Sequence, residues 1–179
     1  MNAITRDVLH QAFELIAQEL AELNMTAEFY LFGGSNMVYS YGSRSRTDEV
    51  DASFRRSAEF TGVLRSVAER LSLPSNWIDI QAYRWEPDTY DTNGRVVFEH
   101  PNFRVVGASP EHMLAMKLKA AESEIRADKD IPDIEFLVKE LDIRYLDQAN
   151  EIYKNVWPED DGGIPRHARS ILIDIVGLE

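Results

Sequence analysis

Apolar residues recur near the start of the chain at Leu9, Phe13, Ile16, Leu20 and Leu23, in alternating steps of four and three. That spacing predicts one face of a helix, with Thr5 as its cap and Asp7 at its positive end. The period then changes. Phe29-Tyr30-Leu31-Phe32 is a short continuous apolar run, which predicts a buried strand stopped by Gly33-Gly34. Ser35 to Tyr41 predicts a short helix closed by Gly42. From Glu49 to Phe54 the period is two: Val50, Ala52 and Phe54 alternate with Glu49, Asp51 and Ser53. This is a strand with one apolar and one polar face.

A helix follows with Phe60, Val63, Leu64, Val67 and Leu71 inward, ending near Pro74. Trp77-Ile78-Asp79-Ile80 reads as a short strand or turn, and Arg95 to Glu99 and Phe103 to Gly107 as a hairpin turning at His100-Pro101-Asn102. Beyond Ser109 the pattern is helical. Ser109 and Pro110 suit the cap and first turn of a helix carrying Leu114, Leu118, Ala121 and Ile125. Asp130-Ile131-Pro132-Asp133 predicts the start of the next, with Ile134, Leu137, Val138 and Leu141 inside. Two more helices are expected, around Leu146 to Val156 and Ala168 to Val176, with a hinge at Pro158 to Pro165. The order predicts a mixed α and β core over residues 1–108 and a helical part over 109–179 packed on it.

Composition narrows the chemistry. There is no cysteine, so disulfides and thiolate metal sites are excluded. A metal here needs carboxylate, imidazole or backbone oxygen, which favours Mg²⁺ or Mn²⁺. With 31 acidic against 19 basic residues the formal charge is −12, a surface unsuited to tight nonspecific nucleic-acid binding. The start of the chain lacks a signal-peptide pattern and no apolar run reaches membrane-spanning length. The expectation is a cytoplasmic protein with no membrane partner.

Glu49 and Asp51 stand two apart on the expected strand, so their carboxylates share a face. At ~6 Å and an effective dielectric of ~20 they repel by roughly 3 kcal/mol. Either open solvent or a bound cation relieves this, and spacing alone does not choose. The neighbourhood adds weight. Gly33-Gly34-Ser35 sits between a strand and a helix start, where unhindered amides and a hydroxyl can meet phosphate. Arg44 and Arg46 precede the acidic strand and suit phosphate or surface acids. Lys117 falls at the edge of its helix's buried face, from which it can snorkel outward or reach a pocket. Asp130 is a natural helix cap.

The stretch FGGSNMVYSYGSRSRTDEVDASF resembles the signature of the DNA polymerase beta-like nucleotidyltransferase superfamily: a glycine turn, a short helix, then an acid-x-acid strand. It is most similar to bacterial toxin-type nucleotidyltransferases of abortive-infection systems and their relatives. ASPEHMLAMKLKAAESEIRADKDIPDIEFLVKEL is similar to those relatives too, with a lysine helix and a later Asp-x-x-Asp helix start. The resemblance spans roughly residues 29–141. It implies an α+β nucleotidyltransferase-like mixed sheet packed with helices, followed by a helical part. It also implies Mg²⁺-dependent transfer of a nucleoside monophosphate from a triphosphate to an RNA, protein or small-molecule acceptor, in a toxin–antitoxin or defence setting. Gly33, Gly34, Ser35 and Arg44 would meet the nucleotide, Glu49 and Asp51 the metal, and Lys117 and Asp130 would complete the pocket. Asp79 would supply a third carboxylate, with the Asp88 to Asp91 region in competition. Glu49 departs from the aspartate usual there. The alternative is the same fold without catalysis, serving as a binding or antitoxin-like partner. Cysteine nucleophiles, zinc-helix histidine pairs, a Gly-x-Ser-x-Gly elbow and a P-loop are absent, and His10, His100, His112 and His167 show no ligand spacing.

Overall fold

The computed structural model describes residues 3–79, 81–122, 124–174 and 177. Ile80 and Val176, expected at element ends, and the side chain of Ile125 lie outside the described residues. Two compact units emerge. One takes the chain up to Arg84 together with Gly94–Ala108; the other takes Trp85–Asn93 and the chain from Ser109 on. The main division falls at Ala108/Ser109, and the short excursion of Trp85–Asn93 into the helical unit is unmarked in the sequence.

In the first unit, α1 (Arg6–Glu22) is capped by Thr5, whose hydroxyl accepts the Val8 amide, and buries Leu9, Phe13, Ile16 and Leu20. Leu23 departs from the expected stripe: it is the helix's last cap and 51% exposed, because Asn24 turns the chain away at φ +53°. A five-stranded mixed sheet runs in the order β3-β2-β1-β5-β4. It comprises β1 (Ala27–Leu31), β2 (Val50–Ser53), β3 (Ile78–Asp79), β4 (Arg95–His100) and β5 (Phe103–Gly107). β1 pairs antiparallel with β2 and parallel with β5, β2 pairs parallel with β3, and β4–β5 is the expected hairpin.

Strand alternation sorts the side chains. Phe29, Leu31, Val50, Ala52, Phe103 and Val105 join one apolar cluster with α1 and with α3 (Ala58–Arg70). Burying such side chains contributes roughly 1.5–3 kcal/mol each against full exposure. Glu28, Tyr30, Asp51, Ser53 and Arg104 carry the opposite, more accessible phase of the same strands. Glu49 is a correction: β2 begins at Val50, and Glu49 lies exposed in the preceding bend, where its carbonyl accepts the Thr47 hydroxyl. The short helix after β1 also differs. It begins at Gly33 as α2 (Gly33–Asn36) and widens into a π-helix over Met37–Tyr41 before Gly42 closes it at φ +64°. Single π turns inside helices are rare and gather near functional sites.

The second unit contains α4 (Pro110–Ala120), α5 (Glu124–Glu140), α6 (Leu146–Val156) and α7 (Arg166–Asp174). Ser109 caps α4 as expected. The next boundary is corrected: α5 begins at Glu124, so Asp130 lies inside the helix and does not cap it, and Pro132 is accommodated within. Tertiary contacts override the local signal, since Ile134, Leu137 and Val138 are buried on this helix and Asp130 and Asp133 turn to Lys117. The expected hinge at Pro158 to Pro165 is tied down. Asp160 accepts from Lys119 and Tyr153, and the Ile164 amide donates to Asn150. No helix among the described residues is long and apolar enough to cross a membrane.

Candidate functional site

The glycine turn and the acidic strand meet. Gly33 sits at φ +59°, a conformation suited to a residue without Cβ. A Cβ there would stand 2.0 Å from Asp51 Oδ2, so the absent side chain makes room for that carboxylate. The Gly34 amide donates to the same Oδ2 at 3.1 Å. A Cβ on Gly34 would meet Thr47 Oγ1 at 2.9 Å and lie 3.6 Å from Arg44 Nη1, which puts the guanidinium beside the turn. Thr47 is fixed in its own right by a two-way backbone bridge to Ile4.

Ser35 completes the joint. It is fully buried, and its hydroxyl lies 2.8 Å from the Phe32 carbonyl and 3.3 Å from the Asp51 carbonyl. The Asp51 amide donates back to it at 3.2 Å. The hydroxyl's one hydrogen goes to the nearer Phe32 oxygen, leaving its lone pairs for Asp51 N–H. The Phe32 amide donates to the Asp51 carbonyl at 3.1 Å. Backbone and side chain of Asp51 are therefore both tied to the segment Phe32 to Ser35.

Asp79 comes alongside. It is the register partner of Asp51 on the parallel strand β3, so the two aspartates project from one face of the sheet on neighbouring strands. Asp79 Oδ1 accepts the Gln81 amide at 2.8 Å, which orients it. Of the competing acids, Asp91 belongs to the helical unit, where it accepts the Ser109 amide and lies 3.4 Å from His112 Nδ1. Glu49 stands outside β2, so strand alternation does not set its direction as it does for Asp51.

The donor set suits a hard divalent ion in kind, being two aspartates on one face beside a backbone turn. Among the described residues, no three acidic or histidine side chains gather closely enough to hold a metal by themselves. Mg²⁺ is ordinarily held by one or two carboxylates, with water and substrate phosphates completing its octahedron. Asp51 with Asp79 fits that requirement.

Lys117 and Asp130 form a separate grouping inside the helical unit. The Lys117 ammonium lies 2.6 Å from Asp130 Oδ1 and 2.9 Å from Asp133 Oδ2, with all three residues buried. Lys117 thus neither snorkels nor stands at an edge; its charge is engaged by two carboxylates from α5. A grouping the sequence did not disclose lies at the start of α4. His112 Nδ1 is 3.4 Å from both Ser109 Oγ and Asp91 Oδ1, while Nε2 faces the Thr89 carbonyl at 3.2 Å. A Ser-His-Asp relay needs the serine and the acid on opposite ring nitrogens. Here they share one, so this grouping fastens residues 89–91 to the helix.

Comparison with known proteins finds no matching family model, no matching curated protein and no matching solved structure.

Proposed function

We propose that this chain is a metal-dependent nucleotidyltransferase that moves a nucleoside monophosphate from a triphosphate to a hydroxyl on RNA, protein or a small molecule. One observation carries the reading: the Asp51 carboxylate is seated against a glycine turn that has no room for a side chain, with Asp79 in register on the same face. A strand face that served only solvation would not need an aspartate fixed by a backbone amide and a left-handed glycine.

In this reading Asp51 and Asp79 hold Mg²⁺ or Mn²⁺, and Arg44, beside Gly34, faces the phosphates. The ion supplies charge stabilisation at the α-phosphate. The protein supplies position: two aspartates fixed in place bring the triphosphate's reacting end to one spot on the sheet, as transfer chemistry of this kind requires. The acceptor hydroxyl gives up its proton to solvent, its oxygen bonds to the α-phosphorus, and the bond from that phosphorus to the bridging oxygen breaks so that pyrophosphate leaves. A toxin–antitoxin or defence setting follows by analogy with the family the sequence resembles.

A second reading is favoured by one observation. Glu49, the first acid of the motif, lies outside the strand and exposed, which suits a nucleotidyltransferase fold that binds a partner without catalysing transfer. Incubation with each α-labelled triphosphate, Mg²⁺ and total cell RNA or protein separates the two. Label transfer that disappears in Asp51→Asn is the expected result. No transfer, together with identical melting curves with and without Mg²⁺ and every triphosphate, would overturn the first reading and favour the second.

A further inference from the structure

We infer that Ser35 and Gly33 are positioning residues for the Asp51 carboxylate and not ligands of phosphate. The inference rests on the metal-binding reading of Asp51 given above. Each feature that makes Gly33-Gly34-Ser35 look like a phosphate cradle is accounted for by Asp51 itself. Gly33 lacks a side chain where a Cβ would stand 2.0 Å from Oδ2. The Gly34 amide, the donor a phosphate would use, is directed at Oδ2. Ser35 presents no surface to a ligand, being 0% exposed, and its hydroxyl bridges the Phe32 carbonyl and the Asp51 amide.

The geometry gives each residue a separate duty. Ser35 sets the height of the strand backbone at Asp51 relative to the turn. Gly33 allows the carboxylate to lie flat on the turn, and Gly34 sets its rotation through one hydrogen bond. A carboxylate restrained in this way meets a metal without first losing its rotamer freedom, which is what preorganisation contributes to binding. Loosening Ser35 should therefore weaken the metal and leave the triphosphate's own contacts unchanged.

The test uses the full chain and Mn²⁺, read by electron paramagnetic resonance in the presence of a non-hydrolysable triphosphate. Triphosphate affinity is measured separately at saturating Mn²⁺. Ser35→Ala should weaken Mn²⁺ at least tenfold and leave triphosphate affinity at saturating Mn²⁺ within about twofold. Ser35→Thr keeps the hydroxyl and should recover most of the loss. In an Asp51→Asn background, Ser35→Ala should add no further loss, because coupled residues are not additive. If Ser35→Ala fails to fold, Gly33→Ala carries the same expectation by crowding Oδ2 from the other side. Wild-type Mn²⁺ affinity with weakened triphosphate in Ser35→Ala would overturn the inference and make Ser35 a phosphate ligand, with the metal reading intact. Wild-type protein that binds no more Mn²⁺ than Asp51→Asn would remove the metal reading itself, and the positioning role with it.

Discussion

The carboxylates around Lys117 in the helical unit and those around Asp51 in the sheet unit are built in opposite ways. Around Lys117 the charges answer one another: the ammonium reaches Asp130 and Asp133 at 2.6 and 2.9 Å, and all three are shut away from water. Around Asp51 the residue is only half-buried, its carboxylate is held through a backbone amide, and a second aspartate stands in register on the neighbouring strand. The first arrangement satisfies buried charge and holds helices together. The second sets two aspartates in register on an accessible strand face, with one of them fixed by a backbone amide, an arrangement open to a ligand from solvent. Acid-and-base patterning in a sequence does not separate these cases. Burial does.

The sharpest way to break the contrast is to remove Lys117. Lys117→Met would leave two buried aspartates without their ammonium, and breaking a buried pair in this way costs about 3–5 kcal/mol. Urea denaturation of the full chain should show that loss, and Lys117→Met combined with Asp130→Asn and Asp133→Asn should recover much of it. A Lys117→Met protein of wild-type stability that had lost label transfer would move Lys117 into the site and end the distinction.

Gly33→Ala should come next in size. The new Cβ meets Asp51 Oδ2 in a backbone conformation of φ +59°, and a non-glycine residue held there costs about 1–3 kcal/mol. Thermal melts should show the fall in stability together with a weaker response to Mg²⁺. Asp51→Asn should behave differently. It keeps a side-chain oxygen for the Gly34 amide and adds no atom to the turn, so the ligand-free variant should stay close to wild type. It should lose the stabilisation that metal and triphosphate confer, which is about 2.7 kcal/mol at a hundredfold excess over Kd. Melting curves without ligand distinguish the two variants, since only Gly33→Ala should melt lower, and curves with Mg²⁺ and triphosphate test the lost response.

Much of the fold was legible because local pattern and tertiary context agree. Leu9, Phe13, Ile16 and Leu20 form a helix face in the sequence and in the core alike, and the Val50–Ala52 alternation is the alternation of β2. Where the two disagree, the sequence misleads. Asp130 and Pro132 look like a helix start, yet the helix runs through them because Ile134, Leu137 and Val138 bury the same element and Lys117 draws Asp130 inward. The period-two pattern reaches back to Glu49, but that residue lies in a bend and the strand begins one residue later. The Gly-Gly-Ser turn was legible as a special place. That its glycine and serine answer to an aspartate sixteen to eighteen residues on depends on strand pairing, which no local spacing discloses. The clustering of Ser109, His112 and Asp91 is likewise a product of the loop's path.

The helical unit should also carry a pH dependence. The Lys119 ammonium, then the Tyr153 hydroxyl, hold the Asp160 carboxyl below its ordinary range. A depressed acid contributes stability above its unfolded pKa of about 3.9 and loses it as pH falls through the lower folded value. Tyr153 runs the other way: burial, then its bond to Asp160, pushes the phenol up. Its contribution is present below an unfolded pKa of about 10 and is lost as pH rises beyond that. Denaturation of Asp160→Asn should show a flatter acid limb than wild type. An acid limb equally steep in both would assign the dependence to other carboxylates.

The smallest effect should belong to Glu49, and it bears most directly on where the site ends. Its side chain is exposed in a bend, so Glu49→Ala should leave stability within about 0.5 kcal/mol of wild type, as ordinary surface substitutions do. Its influence on metal should also be smaller than that of Asp51, because no strand register fixes its carboxylate and the longer side chain retains more rotamers to lose on binding. Mn²⁺ titration of Glu49→Ala beside Asp51→Asn measures the difference. Glu49→Asp adds a second point: if ligand geometry is what limits the residue, the shorter aspartate of the family that the sequence resembles should raise label transfer. A Glu49→Ala variant as impaired as Asp51→Asn would mean that the bend closes onto the strand when ligand binds. The site would then be Glu49 with Asp51, as the resemblance implies, and the pairing of Asp51 with Asp79 would be a property of the sheet alone.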